Sequence, residues 1–160
     1  MASNEEVALK KFDLKVKEIM EPSPVTIPDQ ATITQAASVM KKQDSSCVLV
    51  ESKGKIVGVL TEQDITRRVA AKGSPPGKTR VKSAMTSPIV VIPPEARIEE
   101  ALRVMITNKV RRLPVVDEKG LAGLVSVVDI AKALAEKAGY TTSLIQAMAK
   151  ESLPPSGIYV

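Results

Sequence analysis

The chain has 160 residues, which is enough for one domain, or two small ones, with a real core. It contains no histidine and a single cysteine, which excludes histidine-based triads and an intramolecular disulfide and argues against a zinc site; no metal site is predicted. The net charge of +5 permits anionic partners without choosing among them, and no apolar run approaches the roughly 18 residues of a membrane span.

One stretch of sequence occurs twice. Met20 and Met85 are 65 positions apart, and the same offset relates further small, apolar and acidic residues: Ile27 and Ile92, Ala36 and Ala101, Met40 and Met105, Gly58 and Gly123, Asp64 and Asp129. We ascribe a slight drift within the repeat to one residue added after Met105 and one lost after Gly120. A copy of about sixty residues is too small to be stable alone, so we expect the two copies to pack into one body.

The repeat divides the chain into five segments. Residues 1–15 form a lead-in, 16–73 the first unit, 74–80 a linker rich in proline and glycine, 81–139 the second unit, and 140–160 a C-terminal helix and tail. The single cysteine, Cys47, lies in an apolar run and is predicted to be a buried thiol. A lone thiol also favours a reducing compartment, which we take to be the cytoplasm.

The first unit begins with a helical turn over 16–20 and an extended piece over 24–28. Thr32 then opens a helix, with Gln35 completing a capping box. One face of this helix is predicted to be buried, because apolar residues recur at helical spacing: Ile33, Ala36, Ala37 and Met40. Strands over 47–50 and 56–60 form a hairpin, and a helix runs from Thr61 to about Lys72 with Gly73 as its C-cap.

The second unit repeats this order. An extended piece over 89–92 precedes a helix whose buried face is again marked by helical spacing: Ile98, Ala101, Leu102 and Met105. Strands over 113–116 and 121–125 follow, and Ser126 begins the last helix of the repeat. Each unit is therefore strand, helix, strand, strand, helix, an α/β (α+β) unit whose sheet must be covered by its partner.

The best candidates for chemistry are two short motifs at helix starts, Thr61-x-x-Asp64 and Ser126-x-x-Asp129. A hydroxyl and a carboxylate in this spacing form an ordinary helix cap, which is the simpler interpretation of the spacing alone. The same groups could serve a ligand, because a helix N-terminus favours phosphate and a carboxylate can accept hydrogen bonds from ribose hydroxyls. The two roles are compatible.

The runs Gly58-Val-Leu-Thr61-x-x-Asp64-Ile65 and Gly123-Leu-Val-Ser126-x-x-Asp129-Ile130 resemble the CBS domain, named after cystathionine β-synthase. The resemblance covers residues 16–139. It implies two units packed through their sheets by pseudo-twofold symmetry, with clefts between them for adenosine compounds such as AMP, ADP, ATP or S-adenosylmethionine. It also implies the roles of particular residues: ribose at Asp64 and Asp129, ribose or phosphate at Thr61 and Ser126, and the base pocket at Thr26, Ile27, Val91 and Ile92.

Arg111 and Arg112 precede a strand at a place where, by the same resemblance, a basic residue meets phosphate. Arginine suits that role because its planar fork matches phosphate geometry. We assign Ser45 and Ser46 to these positions in the first unit, so the clefts should be unequal, with the Thr61 and Asp64 cleft the stronger AMP site. The other basic residues near the motifs, Arg67, Arg68 and Lys132, are interpreted as solvated surface charges.

The expected function is that of a non-catalytic regulatory module that binds an adenosine compound, most simply AMP, and transmits its binding to a regulated protein of unknown identity. No nucleophile paired with a base is visible in the sequence. The apolar helix faces and the resemblance also predict a homodimer. The alternative is a basic nucleic-acid-binding protein, which the charge favours but the three aromatic residues do not.

Overall fold

The computed structural model describes residues 13–139, so the predicted helix over 140–151 and most of the lead-in lie outside the described residues. The first repeat contains helices α1 (Val16–Ile19) and α2 (Ile33–Gln43), strands β1 (Thr26–Pro28), β2 (Cys47–Ser52) and β3 (Lys55–Thr61), and a composite helix α3. Helix α3 is α-helical over Glu62–Asp64, π-helical over Ile65–Val69 and 3-10 helical over Ala70–Lys72. The second repeat contains α4 (Val81–Ala84), α5 (Ile98–Asn108), β4 (Arg112–Asp117), β5 (Gly120–Ser126) and α6 (Val127–Lys137).

The two sheets differ by one strand. In the first repeat β1 pairs parallel to β2 and β2 antiparallel to β3, whereas the second repeat has the β4–β5 hairpin with only a parallel bridge between Ile92 and Val115. Proline explains the difference. The ladder beside β1 uses the N–H groups of Leu49 and Asp29, and the residues 65 positions later are Pro114 and Pro94, which have no N–H to donate.

The repeat keeps one constant offset throughout. Helices α2 and α5 both have 11 residues and begin 65 positions apart, and their C-caps, Asp44 and Lys109, are both left-handed. The hairpins also match pair for pair, since Cys47 lies opposite Thr61 and Arg112 opposite Ser126. The predicted insertion after Met105 and the predicted loss after Gly120 are therefore wrong. The residues equivalent to Arg111 and Arg112 are Ser46 and Cys47, one position later than we assigned them.

Each repeat lends its first helix to the other. Leu14 and Val16 are buried in the core of the second repeat, and Val81 and Ala84 in the core of the first. The segment after each helix then adds to the partner's hairpin: Glu21 exchanges both backbone hydrogen bonds with Leu124 at 2.8 and 3.0 Å, and the pairing of Thr86 with Val59 is its counterpart. This exchange makes the two repeats one body.

The exchange accounts for two of the repeated glycines. A Cβ atom on Gly58 would lie 2.4 Å from the Sδ atom of Met85, and one on Gly123 would lie 2.6 Å from the carbonyl oxygen of Glu21. A side chain at Gly123 would therefore collide with the backbone, whereas one at Gly58 would have to displace the Met85 side chain. Each repeated methionine thus lies against the repeated glycine of the other repeat, Met85 against Gly58 and Met20 against Gly123.

The predicted helix faces are largely buried, and the two sheets meet through their hairpins. Two of the residues predicted for the buried faces are not fully buried, since Ala37 is exposed and Leu102 is half-buried. The other predicted residues are buried: Ile33, Ala36, Met40, Ile98, Ala101 and Met105. Between the sheets lies a smaller apolar cluster of Cys47, Leu49 and Leu124, flanked by Ile56, Val59 and Leu121. The members of the pairs Ile56 and Leu121, and Val59 and Leu124, are 65 positions apart, which confirms the pseudo-twofold packing of the sheets.

Candidate functional site

A cleft of about 630 Å³ lies between the repeats, within the usual size range of small-molecule sites. We call it the Thr61 cleft. One wall is formed by the end of β3 and the start of α3, another by residues 86–90 after α4, and a third by residues 108–112 at the start of β4. The rest of the lining comes from Ser46, Pro114 and residues 126–128 at the start of α6. Three exposed valines at its mouth, Val90, Val127 and Val128, offer apolar surface suited to a flat ring.

Both candidate motifs form reciprocal helix caps. The Oγ1 atom of Thr61 accepts from the N–H of Asp64 at 3.1 Å, while Oδ2 of Asp64 accepts from the N–H and the hydroxyl of Thr61 at 3.0 and 2.8 Å. Ser126 and Asp129 repeat the arrangement, with Oδ2 of Asp129 accepting at 2.8 and 2.6 Å. Capping therefore occupies one carboxylate oxygen of each aspartate and leaves Oδ1 for other partners.

The π-helical turn of α3 carries an arginine that joins two walls of the cleft. The Nε atom of Arg68 lies 3.5 Å from Oδ1 of Asp64, whose side chain is 14% exposed. The Nη1 atom of the same arginine donates to the carbonyls of Ala84 and Met85 at 3.0 and 2.7 Å, just before the wall formed by residues 86–90. Arg68 is thus a structural bridge, and its interpretation as a solvated surface charge is wrong.

Three cations line the Thr61 cleft: Lys109, Arg111 and Arg112. Arg112 donates from Nη2 to the hydroxyl of Ser46 across the repeats at 2.6 Å, whereas Lys109 and Arg111 are exposed. The acidic residues in the lining are Glu62 and Asp64. The cleft therefore combines a cluster of basic side chains with a carboxylate and an apolar mouth, as a phosphorylated sugar with a flat ring would require.

The pseudo-equivalent positions in the other half of the molecule carry a different charge. Asp44 stands 65 positions before Lys109, Ser46 before Arg111, and Cys47 before Arg112, while Glu21 stands before Thr86. The three cations of the Thr61 cleft thus correspond to one acid and two uncharged residues. The equivalent positions on the two sides of the molecule therefore differ in charge, with the cations on the Thr61 side.

The structure brings together some of the predicted site residues and separates others. Those that line the Thr61 cleft are Thr61, Asp64, Arg111, Arg112 and Ser126; Asp129 and the residues predicted for the base pocket are not in its lining. Ile27 and Ile92 are buried in the two cores at 4% and 1% exposure, because each lies beside a central strand. Thr26 and Ile27 border a separate shallow depression of about 280 Å³, and Val91 is exposed outside the cleft.

Sequence reasoning missed two groups of lining residues. Residues 86–90 line the cleft because the segment after α4 pairs with the hairpin of the first repeat. No local sequence pattern indicates this pairing. Lys109 could have been found, because the ungapped repeat aligns it with Asp44 at the same left-handed helix end.

Cys47 is buried, as predicted, and lies in the apolar cluster between the two sheets. Cys47 is 4% exposed, and burial raises the pKa of its thiol, while the nearby Arg112 guanidinium acts in the opposite direction. A raised pKa leaves little thiolate at neutral pH, so the thiol is poorly reactive.

Comparison with known proteins agrees with this architecture. The family model of the CBS domain matches residues 16–71 and again residues 81–136. The chain belongs to the CBS-domain family. It is 35% identical over 116 residues to the CBS domain-containing protein YhcV of Bacillus subtilis, covering 72% of this chain and 82% of that protein. Three other curated relatives are longer, and the chain matches only 52–60% of their length.

Solved structures of CBS-domain proteins confirm the fold. A protein with CBS domains from Burkholderia ambifaria superposes with a TM-score of 0.74 at 25% identity, over 81% of this chain and 99% of that one. A CBS-CP12 protein from bloom-forming cyanobacteria, described as hexameric, gives a TM-score of 0.70 at 36% identity, over 75% of this chain and 67% of that one.

The chain is therefore a tandem CBS pair, a type of module that is generally regulatory and ligand-binding. No catalytic domain is evident in residues 13–139. Within the same range, no helix is long and apolar enough to cross a membrane, and no cluster of three or more His, Cys, Asp or Glu side chains is arranged to hold a metal ion.

Proposed function

We propose that this CBS pair binds an adenine nucleotide, AMP in the first instance, in the Thr61 cleft and passes the bound state to a partner protein. The observation that carries the proposal is the convergence of Lys109, Arg111 and Arg112 on the cleft that also holds Asp64. In this arrangement the cations meet the phosphate, Asp64 accepts from ribose hydroxyls, and the valines at the mouth cover the base. ADP, ATP and S-adenosylmethionine remain competing ligands of the same class.

The position of the cleft supports the proposed transmission to a partner. Its lining comes from both repeats, and Arg112 already spans them through Ser46. A phosphate that draws Arg112 toward the cleft would compete with that hydrogen bond and shift the relation between the repeats. A partner that senses this relation would then distinguish the bound from the free module.

Isothermal titration with AMP and with adenosine tests the proposal. Arg111→Ala removes a charged hydrogen-bond donor of roughly 1.5–3 kcal/mol, so AMP should bind about tenfold or more weakly while adenosine is unaffected. The matched control is Lys119→Ala, which removes the same charge from the exposed turn at the far end of the same hairpin. Equal effects of the two variants on AMP, or no binding by the native protein, would contradict the proposal.

The same titrations should show one strong AMP site per chain, or two unequal classes. Two equal sites would refute the argument from charge. Salt-sensitive binding of RNA or duplex DNA without any binding of nucleotides would favour the nucleic-acid alternative instead.

A further inference from the structure

Only one of the two motif aspartates has an ionic partner on its own helix. Arg68 lies four residues after Asp64 and places Nε 3.5 Å from Oδ1, the carboxylate oxygen that the helix cap leaves free. The residue 65 positions after Arg68 is Ala133, and Asp129 has no ion pair within residues 13–139. The difference separates two otherwise matching helix starts.

The backbone of α3 differs at the same place. Ile65–Val69 is a π-helical turn that includes Arg68, whereas the matching α6 is α-helical from Val127 to Lys137. Single π-helical turns inside α-helices are rare and occur frequently at functional sites. Here the turn contains Arg68, whose side chain meets both Asp64 and the carbonyls at the end of α4.

The orientation of Arg68 is fixed from the opposite wall. Its Nη1 donates to the carbonyls of Ala84 and Met85 at 3.0 and 2.7 Å, so the guanidinium is held at two points before it meets Asp64. A planar guanidinium held in this way presents Nε in a defined direction, which a lysine ammonium could not reproduce. The Asp64 side chain is thereby held between its cap on Oδ2 and the arginine on Oδ1.

We propose that Arg68 is a positioning residue that orients Oδ1 of Asp64 toward the ribose hydroxyls of the nucleotide. This inference rests on the proposed function of the Thr61 cleft. It adds that recognition of the ribose, and not of the phosphate, depends on a residue that does not itself line the cleft. The Ser126–Asp129 motif lacks this device and should recognise ribose less well.

The test compares AMP with 2′,3′-dideoxy-AMP, which keeps the base and phosphate but has no ribose hydroxyls. The native protein should prefer AMP by about a hundredfold, since two hydrogen bonds to a carboxylate are at stake and each is worth about tenfold. In Arg68→Ala this preference should fall below about threefold, with the affinity for dideoxy-AMP nearly unchanged. Arg67→Ala, an exposed neighbour on the same helix that forms no ion pair with the described residues, is the matched control and should keep the preference.

A purely structural role for Arg68 would weaken both nucleotides equally, and that result would overturn the proposal, as would an undiminished preference in Arg68→Ala. If Arg68→Ala does not fold, Arg68→Lys decides the matter, because it keeps the charge and loses the fork; it should bind dideoxy-AMP normally with a reduced preference for AMP. A native protein that binds neither nucleotide would refute the proposed function itself. A native protein that binds both, with a preference that Arg68 variants retain, would refute only the role of Arg68.

Discussion

Replacing Gly123 by alanine should strongly destabilise the protein. The new Cβ would lie 2.6 Å from the carbonyl oxygen of Glu21 and 2.7 Å from Sδ of Met20. A methionine side chain can turn away, but the carbonyl belongs to the segment that exchanges backbone hydrogen bonds with Leu124. We expect a loss of about 2–3 kcal/mol, at the upper end of the cost of overpacking, because relief requires moving that segment.

Gly58→Ala is a matched comparison at the equivalent site of the other repeat. Its Cβ would meet Sδ of Met85 at 2.4 Å, but the nearest backbone atom, the carbonyl oxygen of Thr86, is 3.1 Å away. The side chain can move at moderate cost, so we expect a loss of about 1 kcal/mol. Shortening the methionine in the double variant, Gly58→Ala with Met85→Ala, should then cost less than the sum of the two single changes.

Thermal and urea unfolding would measure these differences. For a chain of this size, 1 kcal/mol corresponds to a shift in Tm of about 2–4 °C, so Gly123→Ala should melt about 4–12 °C below the native protein. Gly77→Ala is the control, because its Cβ would meet only the hydroxyl of Thr34 at 3.8 Å; it should be neutral or slightly stabilising. If Gly123→Ala were as stable as Gly77→Ala, the close approach of the exchanged segment would be refuted.

Four further outcomes are expected. Hydrogen bonds from Lys15 and Lys17 lower the pKa of the Glu95 carboxyl to about 2, so its ionised form stabilises the fold above pH 4.5. The small Tm difference between the native protein and Glu95→Gln should therefore shrink as the pH falls from 4.5 toward 2. A Tm difference that stayed constant over this range would contradict the prediction. Cys47 should react with a thiol reagent only on unfolding, and rapid labelling of the native protein would contradict its burial. Asp44→Lys places a cation in the acidic half, so titration should show a weaker AMP site tightening by about two- to fivefold, and an unchanged site would count against the argument from charge. Light scattering should give the mass of a homodimer, and a 17 kDa species alone at high micromolar concentration would refute that prediction.

Much of the fold could be predicted because the same sequence pattern occurs in both repeats. The helices at Thr32 and Ser126, the two hairpins and the C-cap at Gly73 follow from capping residues, helical spacing and turn residues, all of which are local signals. The exchange of α1 and α4 could not be predicted, because an amphipathic turn packs equally well on either copy and only the three-dimensional arrangement decides. The lost third strand of the second repeat depends on Pro94 and Pro114, whose effect is visible only once the pairing register is known.

The residues that line the cleft could be predicted only in part. Thr61, Asp64, Arg111 and Arg112 do meet in one cleft, because cap and strand positions are fixed by the repeat. The residues predicted for the base pocket lie elsewhere. Ile27 and Ile92 are buried in the two cores, and Thr26 and Val91 are exposed outside the cleft. The bridging role of Arg68 could not be predicted, because the two carbonyls that anchor it are 16 and 17 residues away along the chain.

The exchange of α1 and α4 has a consequence for a chain that contains only one repeat. A fragment that ended in the linker would carry α1 with nothing to cover, and its own core would lack Val81 and Ala84. Such a half could be completed only by a second half, in which each chain supplied the missing helix to the other. A one-repeat ancestor of this architecture would therefore be stable as a symmetric pair of chains, and fusing the two through a short tether would convert an association that depends on concentration into one that does not.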